Sequence, residues 1–250
     1  MYKDSQSKIK KNVIQIFYAI VAALIIRSFL FEPFSIPSGS MYPNLKVGDY
    51  LFVSKFSYGF SRHSLPFSVP LIPGRIFYKL PKRGDIVVFK TPQDNRTDYI
   101  KRLIGLPGDK ISLKSSEVFI NDKRVEREFI SNEIYKSFDV QKIKEILPNK
   151  KSYEIYEFEK PFPGLNTDDS REVIVPQDSF FVIGDNRDNS QDSRFIGFIP
   201  KNNLVGKAQI VFISFDANIG SFLKFWTWYP ALRKDRFLVS LHPTNELNYE

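Results

Sequence analysis

The feature that most constrains this chain is an apolar run near its amino terminus, VIQIFYAIVAALII at residues 13–26. Fourteen helical residues span only about 21 Å, which is short for a bilayer core of about 30 Å. Extension through Arg27 to residue 31 gives a length of about 28 Å and leaves Arg27 near the far interface, where its side chain can snorkel. The run therefore predicts a transmembrane anchor over residues 13–31.

Two alternatives to an anchor remain open from the sequence. A buried core helix normally carries a polar stripe, and this run has almost none. A cleaved signal peptide would have a shorter apolar region and an A-x-A site, and no such site follows the run. The lysines that precede the run predict, by the positive-inside rule, a cytoplasmic tail over residues 1–12 and export of the rest of the chain.

Composition excludes several kinds of site. The chain has no cysteine and only two histidines, His63 and His242, so disulfides, thiolate nucleophiles and cysteine zinc sites are excluded. Neither histidine has metal-ligand spacing, and both are predicted to be surface or loop residues. The net charge of +8 suits nucleic acid or anionic lipid, but no nucleic-acid-binding motif accompanies it. We therefore expect no metal and no nucleic acid.

Beyond residue 45 the sequence consists of short strand-like runs separated by turn residues, a pattern typical of antiparallel β proteins. EVFI-ND-KRV at 117–125 is typical of a hairpin with a tight turn. Residues 110–175 are predicted as an insert, because 123–172 are charged, weakly periodic and contain Pro-Phe-Pro-Gly at 161–164. Strands are predicted at 50–56, 85–90, 99–105, 110–113, 117–120, 179–184 and 204–215.

The carboxyl-terminal stretch FLKFWTWYPALRKDRF at 222–237 is aromatic and basic. Trp, Tyr and Arg favour the membrane interface. Packing of this stretch against the sheet is an equally good interpretation, and the sequence leaves both open.

One predicted strand places two cations among apolar residues. In YIKRLI at 99–104, Lys101 lies on one face and Arg102 on the other, each between two apolar residues, so both faces are predicted to be covered. Arg102 would then need an acidic partner. Burial lowers the pKa of a lysine, so Lys101 is a candidate general base and Ser40 its candidate nucleophile. A water-exposed lysine on an edge strand is the alternative.

Four stretches together resemble the boxes of bacterial type I signal peptidases (leader peptidases). The resemblance covers residues 13 to about 110 and 174 to 215, and it is weak across the insert. The apolar run resembles the family's membrane segment. The four stretches are SGSMYP at 38–43, GD at 48–49 with the strand after it, YIKR at 99–102 running into GLPGD at 105–109, and GDNRDNSQDSR at 184–194.

The resemblance implies a serine endopeptidase with a Ser/Lys dyad, which removes signal peptides after small residues at −1 and −3 and uses no cofactor. Ser40 would be the nucleophile and Lys101 the general base. The Ser40 backbone N–H and the Ser38 hydroxyl would form the oxyanion hole, and Ser190 would hydrogen-bond the Lys101 amine. The implied supporting ion pairs are Asp192 with Arg194 and Asp185 with Arg102. The implied substrate pockets, apolar and shallow, comprise Phe34, Ile36, Met41, Leu45, Val88, Tyr99 and Ile100.

The predicted fold class is mainly β. One amino-terminal transmembrane helix precedes an antiparallel β-sheet catalytic domain (32–109 and 176–250) that carries a β-rich insert (110–175). The resemblance further implies a single-pass protein of the bacterial inner (plasma) membrane, with a cytoplasmic amino terminus and a periplasmic or extracytoplasmic catalytic domain. Its implied partners are signal-peptide-bearing preproteins and the lipid bilayer.

Three other classes of protein are alternatives to this one. A self-cleaving repressor-type Ser/Lys protease would be soluble and carry a DNA-binding module, and the apolar run argues against it. An anchored β domain that only binds exported chains would not need the box residues. Three serine–lysine pairs have the S-x-x-K spacing of penicillin-binding-type enzymes: Ser5/Lys8, Ser7/Lys10 and Ser221/Lys224. The motifs that accompany this spacing in those enzymes are absent here, so we interpret the three matches as chance.

Overall fold

The computed structural model describes residues 2–160, 170–216, 219–220 and 225–245. Three predicted features lie outside the described residues: the Pro-Phe-Pro-Gly stretch at 161–164, the S-x-x-K match at 221–224 and the first residues of the aromatic stretch at 222–237.

The helices are α1 Tyr2–Phe29, α2 Ser193–Ile196 and α3 Trp228–Ala231. Single 3₁₀ turns lie at Arg62–Ser64, Pro66–Ser68, Arg187–Asn189, Lys201–Asn203, Phe225–Thr227 and Lys234–Arg236.

The strands follow in chain order, and each of the seven predicted runs coincides with one of them. They are β1 Phe31–Ser35, β2 Asp49–Ser54, β3 Phe60–Ser61, β4 Arg75–Ile76, β5 Ile86–Lys90, β6 Asp98–Gly105, β7 Lys110–Lys114, β8 Glu117–Ile120, β9 Lys123–Arg124, β10 Glu126–Tyr135, β11 Phe138–Ile146, β12 Lys151–Phe158, β13 Ser170–Ile174, β14 Ser179–Ile183, β15 Ile199–Pro200, β16 Leu204–Ser214, β17 Val239–Ser240 and β18 Thr244–Asn245.

Helix α1 differs from the predicted anchor at both ends. It includes the predicted tail from Tyr2 onward, and it ends at Phe29, since Phe31 already pairs with β2. From Lys10 to Phe29 it is long and apolar enough to cross a membrane, with a mean hydropathy of 1.8, and only 6% of that window is buried. So little buried surface rules out a core helix. By length and composition, α1 is a candidate membrane span.

The main sheet is antiparallel and curled, with the strand order β1-β2-β16-β5-β6-β14-β15 and β17 beside β16. Strand β5 is buried along almost its whole length, because this sheet is covered on both faces near its middle. The fold is thus mainly β and antiparallel, as the sequence predicts. The core on one side of the sheet comprises Ile36, Met41, Leu45, Leu51, Val53, Ile86, Val88, Val205, Ala208, Val211 and Leu241.

The chain between β6 and β14 forms two further sheets. One has the order β13-β7-β8-β9, and its β8–β9 turn at Asn121 and Asp122 has φ of 52° and 65°, as a tight hairpin turn requires. This confirms the predicted hairpin. The other, here called the hairpin sheet, has the order β10-β11-β12-β18. Strand β18 comes from the carboxyl-terminal region, so the hairpin sheet also includes residues outside 110–175.

Candidate active site

The two candidate catalytic side chains meet at the end of β1. Residues 37–42, here called the serine loop, begin two positions after the end of β1, and Lys101 lies in β6. The Lys101 amine donates to Ser40 Oγ at 2.6 Å and to the Ile100 carbonyl at 3.0 Å. Lys101 is 4% exposed and Ser40 7% exposed. The sequence prediction that this part of β6 is covered on both faces is confirmed, since Arg102 is 2% exposed.

Burial changes the acid–base chemistry of this lysine. Removal from water disfavours the charged amine and lowers the pKa of Lys101 to about 8. Asp192 and Asp185 oppose the shift, and Arg194 adds to it. With this pKa, roughly a tenth of Lys101 is neutral at pH 7. A neutral amine within hydrogen-bonding distance of a serine hydroxyl can take its proton.

The serine loop is held by Asn186, a residue of the fourth box. The Asn186 backbone N–H donates to the Ser40 carbonyl at 3.1 Å, and its side-chain amide donates to the Gly39 carbonyl at 3.0 Å. Ser38 Oγ lies 3.3 Å from Ser40 Oγ and is exposed. Both loop hydroxyls therefore lie together beside Lys101.

A buried ion pair lies directly behind Lys101. Arg102 Nε and Nη2 donate to the two carboxylate oxygens of Asp185 at 2.7 and 2.6 Å. Arg102 also donates to the Gly84 carbonyl at 2.9 Å, and Asn44 donates to Asp185 at 2.8 Å. Arg102 thus has the acidic partner that its burial requires, and the partner is the residue that the resemblance implies.

The second implied pair, Asp192 with Arg194, also forms. Arg194 Nε and Nη2 donate to the Asp192 carboxylate at 2.8 Å each, and the Gly184 N–H donates to it at 2.9 Å. Burial alone would raise the pKa of Asp192, but Arg194 and the Gly184 N–H outweigh burial and hold that pKa below its usual value. Asp192 therefore stays ionised inside the protein.

Ser190 differs from the expectation. Its Oγ is buried and has no hydrogen-bond partner among the described residues, so the implied bond to Lys101 is not formed in this structure. It nevertheless lies close to the serine loop: a side chain on Gly184 would overlap Ser190 Oγ and come within 2.6 Å of the Ser40 carbonyl oxygen. The hydroxyl therefore lies within the site without a bond to Lys101, and it contributes to the lowered pKa of Asp192.

A groove of about 680 Å³ leads to Ser40 and Lys101. Its lining includes residues 32–40 on one side and 97–101 on the other. Of the implied pocket residues, the groove contains Phe34, Ile36, Val88, Tyr99 and Ile100. Met41 and Leu45 are fully buried in the same core as Ile36 and are not part of the lining.

Sequence reasoning missed the contribution of the hairpin sheet. Fully buried Glu145 pairs with Arg187, and Tyr153 donates to it at 2.7 Å. The Arg102 guanidinium stacks over the Tyr153 ring at 4.0 Å. Tyr135 is 6% exposed and accepts a hydrogen bond from Asn189 at 3.3 Å. The sequence signal was faint: it consisted of an acid and two tyrosines within strand-length runs. Their partners outside the hairpin sheet lie 34 or more residues away along the chain.

The histidines differ from one another. His242 is exposed, as predicted. His63 was predicted to be a surface or loop residue, but it is 4% exposed within the turn Arg62–Ser64, and its Nδ1 lies 3.0 Å from Ser68 Oγ. Burial lowers the pKa of His63 to about 4. Within the described residues, no group of three or more His, Asp or Glu side chains is arranged to hold a metal.

Comparison with known proteins gives a consistent result. The family model described as signal peptidase, peptidase S26, matches residues 9–213. A signal peptidase I of Rickettsia typhi is 40% identical, covering 98% of this chain and 100% of its own, and that of Rickettsia felis is 42% identical, covering 92% of each. A crystal structure of a signal peptidase I from Enterococcus faecalis is 26% identical and covers 52% of this chain and 97% of its own, with a TM-score of 0.31. That TM-score is too low to carry an argument about the fold.

Proposed function

The chain belongs to the signal peptidase family, peptidase S26, and is a serine endopeptidase that removes signal peptides; from this premise we propose that Ser40 is its nucleophile and Lys101 its general base. One observation carries the proposal. The Lys101 amine lies 2.6 Å from Ser40 Oγ in a buried position, where its pKa is lowered to about 8. Geometry and protonation state therefore both suit proton abstraction from the serine.

The proposed cycle has two acyl-transfer steps. Neutral Lys101 takes the proton of Ser40 as Oγ attacks the scissile carbonyl, and the resulting ammonium then gives that proton to the leaving amine. This leaves an ester between the signal peptide and Ser40. Lys101, neutral again, takes a proton from the attacking water, which adds to the ester carbonyl. The Lys101 ammonium then returns that proton to Ser40 Oγ as the ester bond breaks, which releases the signal peptide as a carboxylic acid and restores both side chains.

Negative charge that develops on the carbonyl oxygen needs donors aimed at it. We assign these to the Ser40 backbone N–H and the Ser38 hydroxyl, which is supported by the 3.3 Å separation of the two hydroxyls. Asn186 keeps this loop in place through its two hydrogen bonds to the loop carbonyls. Ser190 is assigned to orient the Lys101 amine once substrate excludes water, since its hydroxyl is buried within the site close to the serine loop. Two buried ion pairs next to the dyad, Asp192–Arg194 and Arg102–Asp185, are assigned to support it.

The substrate is proposed to bind as an extended strand. Within the described residues, β1 pairs only with β2, and residues 98–101 of β6 pair only with β5. The groove is lined by both segments, so each presents unpaired backbone groups to it. A peptide that adds between such edges gains main-chain hydrogen bonds. The apolar side chains of the groove then select small residues at −1 and −3 by excluding larger ones.

The anchor is assigned to the apolar part of α1, in a bacterial plasma membrane that the chain crosses once. Lysines before the span favour a cytoplasmic amino terminus, and the β domain then lies on the extracytoplasmic side. The division into tail (1–12), anchor (13–31), catalytic domain (32–109 and 176–250) and insert (110–175) stays a proposal, with the helical part of the anchor ending at Phe29. Tethering keeps the enzyme near membrane-inserted signal peptides.

The proposal is tested by cleavage of a signal-peptide-bearing precursor with detergent-solubilised full chain. Wild type should cut after a small −1 residue, and Ser40→Ala and Lys101→Ala should each lose the activity. Thermal unfolding of both variants distinguishes lost chemistry from lost fold. If either folded variant cuts at the wild-type rate, the assigned dyad is wrong. Wild type that binds the precursor and leaves it intact would point to a binding domain.

A further inference from the structure

A second cavity, of about 600 Å³, shares no lining residue with the substrate groove. It lies where the start of β12 approaches β16 and the segment before β5. Its polar lining includes Lys79, Lys82, Lys151 and Lys207, with His242 at the rim and Asp85 beneath them. We call it the lysine pocket. The concentration of positive charge on one concave surface is its distinguishing feature.

The one carboxylate of this pocket is already engaged. Asp85 is 2% exposed. Lys207 Nζ donates to its Oδ1 at 2.8 Å, and Tyr58 Oη and the Lys82 backbone N–H each donate to its Oδ2 at 3.0 Å. The Asp85 carboxylate therefore balances the positive charge of Lys207. With three donors already bound to it, it has little capacity left to pair with another lysine.

The remaining lysines line the same cavity without such a partner. Within the described residues, Lys79, Lys82 and Lys151 form no ion pair with a carboxylate. Half-buried Lys151 has a lowered pKa, caused first by burial and then by Lys207 and Lys82, although Asp85 opposes the shift. The pKa of His242 is lowered by partial burial of its ring and by the same Lys207 and Lys151, while Asp85 opposes the shift. The pocket is thus a cationic concavity that lacks a counter-charge.

We propose that the lysine pocket binds the phosphate group of an anionic ligand. A phosphate offers several acceptor oxygens and at least one negative charge, and three lysines that project into one cavity can donate to it from different directions. Lysine ammonium groups act on phosphate as point charges, so the pocket does not require the fork geometry of arginine. Bound phosphate would supply the counter-charge that the protein does not.

Two sources of phosphate share this chemistry, a lipid headgroup and a free phosphate ion, and the position of the pocket favours the first. The Lys55 N–H donates to the carbonyl of Leu30, just past the end of α1, at 3.0 Å, and the pocket begins two residues further along the chain, at Ser57. Beside the lysines, Phe77 is 78% exposed and Leu80 54% exposed. If α1 is the membrane anchor, as proposed above, the pocket lies near headgroup level with apolar side chains next to it.

The test uses thermal unfolding of the full chain in micelles of a neutral detergent. In one arm the micelles contain phosphatidylglycerol or, as a control, phosphatidylcholine. In the other, inorganic phosphate is compared with chloride at equal ionic strength. The variant Lys79→Gln/Lys151→Gln removes two pocket lysines. Lys123→Gln/Lys160→Gln removes two exposed lysines outside the pocket and changes the net charge equally.

A ligand present at about ten times its Kd should raise the Tm of the wild type by roughly 3 °C. We expect phosphatidylglycerol to raise the Tm of the wild type and of the control double variant by this amount, and we expect the pocket variant to lose the shift.

Stabilisation by phosphatidylglycerol alone identifies a lipid headgroup as the ligand. Stabilisation by inorganic phosphate identifies a site for the ion itself. Without any phosphate, the pocket variant should melt at or above the wild-type Tm, because two mutually repelling charges are gone. No stabilisation in either arm, or equal stabilisation of pocket variant and wild type, overturns the proposal.

Discussion

Tyr135, the last residue of β10, occupies the space that a side chain on Gly39 would need. A Cβ built on Gly39 would overlap the Tyr135 hydroxyl oxygen and lie 3.1 Å from the ring carbon that bears it. Gly39 does not have a positive φ, so close packing, and not an unusual backbone conformation, requires glycine here. The hairpin sheet therefore contacts the loop that carries the proposed nucleophile.

The first prediction follows from this contact. Gly39→Ala should lower kcat/KM by about 10- to 100-fold, because the loop must shift away from Tyr135 and a small misplacement of a nucleophile is costly. Tyr135→Phe removes the overlapping oxygen, so Gly39→Ala/Tyr135→Phe should recover part of the loss. Steady-state kinetics of the two single variants and the double variant measure the coupling. A fully active Gly39→Ala, or a double variant no better than Gly39→Ala, would contradict a steric cause.

The second prediction concerns Ser38. Ser38→Ala should lower kcat by about 10²-fold or more with little change in KM, since an oxyanion donor acts mainly in the transition state. Ser38 is exposed, so the Tm should hardly change. Ser38→Thr keeps a hydroxyl and should retain more activity than Ser38→Ala. Equal losses of kcat in the two variants would argue against a role for the hydroxyl.

The third prediction separates a buried ion pair from an exposed one. Asp192→Ala removes the carboxylate that compensates the charge of Arg194, whose side chain is 4% exposed. This should cost about 3–5 kcal/mol of stability and loosen the Ser190 region, so that rate falls together with Tm. Asp178 pairs with Lys201 at 2.8 Å but is 76% exposed. Asp178→Ala should therefore change neither rate nor Tm appreciably. A fully folded and fully active Asp192→Ala variant would refute the supporting role of Asp192.

Much of the main sheet could be predicted from its sequence, because strand-like runs between turn residues are a local signal. Burial of both faces of β6 was likewise predictable from Lys101 and Arg102, since each cation stands between apolar neighbours. Within the boxes, the Arg102–Asp185 pair came from the resemblance and from the need of a buried arginine for an acid.

The hairpin sheet was harder to predict for a physical reason. Near its base, one face of β11 is buried, at Ile143 and Glu145, whereas near its tip the opposite face is buried, at Val140. In β10 the register also shifts between Phe129 and Ser131. Both effects break the period-2 pattern on which strand prediction depends.

Long-range partners were beyond the sequence as well. Nothing local indicates that Tyr135 contacts Gly39, because 96 residues separate them along the chain. The aromatic stretch near the carboxyl terminus stays open: in its described part, Trp226 and Tyr229 are 64% and 72% exposed, while Arg236 pairs with buried Asp49. The exposed rings do not fit packing of the whole stretch against the sheet. The ion pair of Arg236 with Asp49 does not fit a stretch that lies entirely at the membrane interface.

The account depends most on Lys101 acting as a neutral base, and the pH dependence of kcat/KM tests this directly. With a pKa near 8, the neutral fraction of Lys101 grows as pH rises, so kcat/KM should increase roughly tenfold per pH unit below about 8 and level off above it. Residual activity of Lys101→Ala should lack this ionisation. Thermal unfolding at each pH shows that the enzyme stays folded over the range. A wild-type profile that is flat from neutral to alkaline pH would contradict the assignment of Lys101 as the base.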